Sequence, residues 1–245
     1  MSGMSMRMRR VLPVAAALHT LLLISACSGD SDESSDKEAR PTGKSTSSAE
    51  AKASAEAERI GAMDPQALEK ATISGKSKGF EFKQVAKAEV EAGRDMKADQ
   101  AECQPIASLA GGYTHIEAVS TEHRSLEPSS AKNATVGSMW LASHSEKNAE
   151  RVMSELRTSL KKCPDGFKTL GLTYKSVERL KDPDLGDDAL SYRITSVVAK
   201  QSVPMTYTVV RKGGVVVTFY GVNMLTPKDS AIPEVTIKEQ LRQLE

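Results

Sequence analysis

Every aromatic residue of the chain lies at or beyond Phe80: four Phe, five Tyr and the single Trp140. A packed core needs large apolar side chains, so the folding unit must be drawn chiefly from the sequence after that point. Upstream the contrast is sharp. Residues 28–59 contain no aromatic and no large aliphatic side chain, only Ser, Ala, Gly, Pro, Thr and charged groups. Such a stretch buries too little apolar surface to offset the entropy of ordering it. It is expected to be a disordered tether with an r.m.s. span of about 30 Å. A helical patch over residues 49–58 fits the Ala and Glu there, but it has no apolar face to dock.

The first 27 residues read as an address. Arg7, Arg9 and Arg10 precede an apolar run over residues 11–24, which ends in Ile24-Ser25-Ala26-Cys27. The run falls short of the roughly 20 residues that a spanning helix needs, so it reads as a signal peptide. Small residues directly before a cysteine resemble the lipobox of bacterial lipoproteins. By that resemblance Cys27 receives the lipid and becomes the mature N-terminus, and the membrane is the first partner. The organisation expected is a signal segment over 1–26, a lipidated cysteine and tether over 27–62, and one globular domain over 63–245.

Charge removes several classes. The chain carries 33 basic against 32 acidic residues. Setting aside the three arginines before Ala26, and the five basic and eight acidic groups of the tether, 25 bases face 24 acids in the remainder. A domain so close to neutral offers no field to gather nucleic acid or an anionic bilayer.

The expected fold class is α+β: a twisted antiparallel sheet, with a C-terminal meander and helices packed on it. A short helix is predicted over residues 64–72, with Asp64 as N-cap and Pro65 in its first turn. Alternation of Phe80 and Phe82 predicts a strand over 79–85, and a weaker strand is expected over 94–98. Residues 101–109 read as a short helix carrying Cys103. Ala149, Val152, Met153, Leu156 and Leu160 lie on one face of a helix over 146–161, with Ser143 and Glu146 as a capping box. Residues 189–199 alternate Leu190, Tyr192 and Ile194 against Ser191, Arg193 and Thr195. Two apolar runs, 203–210 and 215–222, flank Arg211-Lys212-Gly213-Gly214 and predict a hairpin. Val215, Val216 and Val217 are apolar on both faces, so that strand should be central and covered by helices. A closing helix is predicted over 232–244.

With Cys27 assigned to lipid, exactly two cysteines remain in an exported domain, and a Cys103–Cys163 disulfide follows. A redox or metal-binding pair would call for C-x-x-C spacing or a histidine nearby, and neither is present.

Other motifs fail on context. Gly75-Lys76-Ser77-Lys78-Gly79 matches G-x-S-x-G, but a strand follows where a nucleophile elbow needs a helix, so it reads as solvated loop. Gly43-Lys44-Ser45-Thr46 lacks the first glycine of a P-loop. Two S-x-x-K matches, at Ser129 and Ser159, have no companion motifs. His115, His123 and His144 are not at metal-ligand spacing; His115 and His144 read as surface or capping residues. Asp182, Asp184, Asp187 and Asp188 lie in a Pro/Gly turn that lacks a calcium-loop register. Trp140 reads as core. No cofactor and no catalytic residue is expected.

Glu102-Cys103-Gln104-Pro105, Gly186-Asp187-Asp188-Ala189-Leu190 and the run Val209-Val210-Arg211-Lys212-Gly213-Gly214-Val215-Val216-Val217 resemble actinobacterial cell-surface lipoproteins. Their globular part is similar to the PknH-like extracellular sensor domain of actinobacterial serine/threonine kinases. The resemblance implies a twisted antiparallel sheet backed by helices and a cleft for an unidentified small ligand. It also implies a non-enzymatic sensor on the extracytoplasmic face of the cell membrane. Kinase-linked members carry two disulfides; this chain can form one. The rival functions are a cell-envelope hydrolase with a spatially assembled site and an adaptor lipoprotein that binds an envelope protein.

Overall fold

Strand β9 (Val215–Asn223) organises the molecule. Val216 on one face and Val215, Val217 and Phe219 on the other are all buried, in two separate clusters. A strand apolar on both sides must sit in the middle of a covered sheet. In the computed structural model β9 is the fifth strand of nine, in the order β1-β2-β3-β4-β9-β8-β7-β6-β5. The described residues are 48–198 and 200–245. Cys27, the expected signal segment and the first part of the expected tether, through residue 47, lie outside them.

The sheet is antiparallel throughout and consists of two meanders joined at their inner strands. The first runs β1 (Gly75–Ser77), β2 (Phe80–Gln84), β3 (Ser120–Pro128) and β4 (Thr135–Ser143). The second runs β5 (Phe167–Thr169), β6 (Leu172–Arg179), β7 (Asp188–Val198), β8 (Gln201–Lys212) and β9. Pairing of β4 with β9, from Thr135↔Asn223 to Ser143↔Val215, closes the two halves into one sheet. The hairpin expected at Arg211-Lys212-Gly213-Gly214 is present, with Lys212 opposite Val215 across a Gly213-Gly214 turn.

One face is covered by α5 (Glu146–Lys162), whose Ala149, Val152, Met153, Leu156 and Leu160 all enter the cluster holding Trp140, Tyr192 and Tyr207. The cap is Ser145, whose side chain accepts from Asn148 N, and not the expected Ser143. The chain is still extended at Ser143, the last residue of β4, where its Oγ accepts from Met63 N (2.8 Å). The other face is covered by α2 (Pro65–Lys70), capped by Asp64 as expected, and by α6 (Glu234–Arg242). Leu68, Ile237 and Leu241 of these helices pack against Phe80, Leu126 and Phe219.

Three further expectations change. Helix α1 (Ser48–Ile60) occupies the later part of the expected tether and buries Ala57. Its Ala/Glu composition favours helix, and the small Ala57 docks where no large side chain is offered. The core also begins before Phe80, because Leu68 and Ile73 are buried. Second, residues 94–98 are not a strand. They follow α3 (Lys87–Ala92), built from good helix formers, and Gln104 satisfies their backbone: its Oε1 accepts from Ala98 N and its Nε2 donates to Met96 O. Third, Gly75-Lys76-Ser77-Lys78-Gly79 is no loop but the edge hairpin β1–β2, which turns at Lys78 and Gly79 with positive φ. A strand does follow Ser77, as the rejection of a nucleophile elbow required.

The Cys103–Cys163 disulfide is present, with 5.9 Å between Cα atoms. Cys103 ends a short 3-10 turn that leads into α4 (Gln104–Ala110), and Cys163 caps the C-terminus of α5. The bridge therefore ties α4 to α5, reinforced by Ser159 Oγ donating to Glu102 O (2.7 Å). The described residues form one compact unit that contains both hydrophobic clusters.

Candidate functional site

A row of tyrosines crosses the α5-side face of the sheet. Tyr220 of β9, Tyr207 of β8 and Tyr192 of β7 are direct register partners. Side chains at paired positions stand side by side, and here the rings stack: Tyr192 on Tyr207 at 5.0 Å and 3°, Tyr207 beside Tyr220 at 5.2 Å. Trp140 of β4 meets Tyr207 edge-on at 6.4 Å and 72°.

Between this row and the helices lies a cavity of about 350 Å³, at the lower end of the range for small-molecule sites. Trp140, Tyr174, Tyr207, Tyr220 and Met205 supply its sheet side, and His123 of β3 stands at one end. Its roof comes from α3 (Glu89, Val90) and from the two glycine backbones where Gly93 meets Gly111. A Cβ on either glycine would strike the other's carbonyl oxygen, so only glycine permits this crossing.

The roof is lightly held. None of the residues of α3 is buried. Its fastenings are the Tyr113 hydroxyl donating to Val90 O (3.0 Å), and Arg94, which lies over the Tyr113 ring at 4.4 Å while pairing with Glu91.

The site is electrically quiet. Burial holds all four phenols above their usual pKa, and Tyr207, wholly enclosed, also feels the neighbouring phenols of Tyr192, Tyr220 and Tyr174. Burial pushes the His123 imidazole down, so it is neutral at pH 7; its Nε2 meets Gly112 O at 2.7 Å. Arg124 adjoins the cavity, but its register partner is Met139, which packs into the opposite cluster. Its Nη1 donates to Glu122 Oε2 and His123 O, both at 2.9 Å.

Several buried polar atoms stand idle among the described residues, Arg124 Nε beside the cavity among them, and two belong to the aromatic row. Trp140 Nε1 and the Tyr192 hydroxyl have no hydrogen-bond partner among the described residues. Trp140 lines the cavity, whereas Tyr192 is sealed beneath Tyr207. A sealed, unpaired hydroxyl opposes folding. Tyr192→Phe should therefore raise stability by about 1 kcal/mol in urea unfolding; a loss of that size would mean that the hydroxyl is satisfied.

The other sequence candidates fall elsewhere. His115 Nε2 meets Glu155 Oε2 at 2.5 Å on α5. His144 is not a surface or capping residue: it is 1% exposed, because β4 carries it under the Gly213-Gly214 turn, where its backbone N donates to Gly214 O. Its Nε2 contacts Thr114 Oγ1 at 3.1 Å, and no carboxylate orients Nδ1, which a nucleophile–base pair would need. Three of the four acids of the 182–188 loop are taken up by the fold: Asp187 accepts from Gly213 N, Asp182 pairs with Arg179, and Asp188 with Arg157, while Asp184 lines the groove beside α6. No group of three or more His, Cys, Asp or Glu suited to a metal occurs among the described residues. Nor is any helix among them long and apolar enough to cross a membrane.

A larger groove, about 620 Å³, runs beside α6 past Lys78, Lys238 and Arg242. Lys78 and Arg242 pair with Glu239, and Lys238 pairs with Glu234, so these three cations are engaged in ion pairs at the surface.

Sequence reasoning placed Trp140 in the core but missed the cavity beside it. The one signal was the recurrence of Tyr192, Tyr207 and Tyr220 on strands expected to be neighbours. No protein-family model matches the chain, and no curated protein matches it.

Proposed function

We propose that the protein is a lipid-anchored extracytoplasmic binding protein that holds a small ligand in the aromatic cavity without transforming it. The cavity carries this reading: it is ring-lined and roofed by a lightly fastened helix, and Trp140 of its lining carries a buried donor with no partner among the described residues. The location rests on the sequence, in the lipobox-like Ile24-Ser25-Ala26-Cys27 and the resemblance to the PknH-like sensor domain. The disulfide suits an oxidising compartment.

Anchoring is tested by metabolic labelling with a palmitate analogue. Label should enter the wild type and be absent from Cys27→Ser; equal labelling of both would refute the anchor. Binding is tested by native mass spectrometry of the protein released gently from its host's envelope. A reproducible adduct that leaves on denaturation is the expected result.

One surface favours the adaptor reading. Val136 pairs with Val222 at the β4–β9 end, next to exposed Met224 and Leu225, which is 82% exposed. A bare mass together with a cross-linked envelope protein at these residues would establish that function instead.

A further inference from the structure

We propose that the cavity is selective for a small, uncharged, largely apolar molecule with a flat face, which lies against Tyr207 and Tyr220 and offers one hydrogen-bond acceptor to Trp140 Nε1. This rests on the binding reading above and adds the chemistry of the ligand.

The argument begins with what the site lacks. A charged ligand entering the cavity would lose its hydration, a penalty of several kcal/mol unless a counter-charge replaces it. None is on offer. The Arg124 Nη1 is engaged by Glu122 and the His123 carbonyl. The remaining buried Nε of Arg124 belongs to a side chain in register with Met139, whose cluster lies across the sheet from Trp140. The phenols and the His123 imidazole are neutral, and Glu89, the one carboxylate of the lining, is exposed to solvent at the opening, so the interior holds polar groups but no free charge.

What the site has is flat area and a donor. Tyr207 and Tyr220 present adjacent rings 39° apart, a surface suited to offset or edge contacts with another ring. Trp140 is 4% exposed, and its indole N–H is donor only, so a ligand acceptor is the natural complement for it. A saturated or acceptor-free guest would leave that donor unpaired, and binding would be correspondingly weaker. The way in is past α3, whose Val90 and Glu89 cover the opening and whose main link to the body is the Tyr113–Val90 hydrogen bond.

The test uses residues 45–245, which contain both hydrophobic clusters. N-phenylnaphthylamine, neutral and flat, should gain fluorescence on binding. Three competitors that share the naphthalene ring then separate the terms: methyl naphthoate, ethylnaphthalene and naphthoate anion. Methyl naphthoate should displace the probe best, and ethylnaphthalene about tenfold less well. Naphthoate should be weakest. Trp140→Phe, with folding checked by its melting curve, should erase the advantage of the ester over ethylnaphthalene while probe binding persists. Ser138→Leu, which fills the cavity from a half-buried position on β4, should abolish probe binding.

Stronger displacement by naphthoate than by its ester would overturn the uncharged-ligand assignment and leave the binding reading intact. An ester advantage that survives Trp140→Phe would overturn the role of the indole. No fluorescence gain with folded wild-type protein would overturn both this inference and the use of the cavity as a binding site.

Discussion

Replacing Cys103 and Cys163 together by alanine should lower the unfolding free energy by about 4 kcal/mol and the melting temperature by roughly 8–16 °C. The bridge closes a loop with a sequence separation of 60 residues. In the chain-entropy description that closure removes conformations from the unfolded chain, and its effect grows with the logarithm of loop length. Native packing adds a second loss. Both sulfurs are buried among Leu156, Leu160 and Ile106, so truncation leaves small holes under α5. Thermal and urea unfolding of residues 45–245, oxidised wild type against the double variant, measures the sum. Curves that superimpose would mean that the α4–α5 contact holds without its covalent tie.

Acid should destabilise the domain well before its carboxylates titrate. His144 is sealed under the β8–β9 turn, and burial pushes its pKa from 6.5 down to about 4, with a smaller push from nearby His115 and partial relief from the Glu117 backbone. The unfolded chain therefore takes up a proton at a pH where the folded chain refuses it. Stability is complete above about pH 7 and falls as pH drops through the ordinary histidine range toward 4. The loss should approach about 3 kcal/mol, one pKa unit being worth about 1.4 kcal/mol. His123, lowered by burial in the same direction, steepens the same window. Ion-paired acids such as Asp188 and Glu155 have lowered pKa values, and their contribution is lost only at still lower pH. The measurement is urea unfolding at intervals between pH 7.5 and 4, alongside His144→Gln, which should flatten much of the slope. An equally steep profile in the variant would remove His144 as the cause.

What could be read from the sequence was whatever a single element declares by itself. The one-face pattern of Ala149 to Leu160 fixed α5 to within a residue at its end, and Gly213-Gly214 between two valine-rich runs fixed the β8–β9 hairpin. Val215-Val216-Val217 foretold a central strand because no other position in a sheet needs both faces apolar. Subtraction of Cys27 left one possible disulfide. The first meander was harder. Strand β3 carries Glu122, His123, Arg124 and Ser125 in a row; Arg124 pairs with Glu122 within the strand and His123 with the Gly112 carbonyl outside it, neither of which hydrophobic periodicity shows. The stretch before α4 mimicked a strand because its backbone is bonded by the Gln104 side chain. The cavity was hidden for a related reason: its floor is assembled from Trp140, Tyr174, Tyr207 and Tyr220, on four strands whose adjacency arises only when β4 finds β9.

That last pairing has a consequence for how the chain acquires its shape. Each meander is made of neighbours in sequence, while the seam between them joins Thr135–Ser143 to Val215–Asn223, the last strand of the second meander. Contacts of such wide separation are slow to form, since the intervening loop must close before they reward it. Until β9 arrives, β4 presents Met139, Trp140, Leu141 and Ala142 on an open edge, the kind of surface that recruits other chains. The strand that completes the aromatic cavity is thus also the one that covers this exposed edge. A chain released before Val215 would have all of its first meander and nothing to protect it.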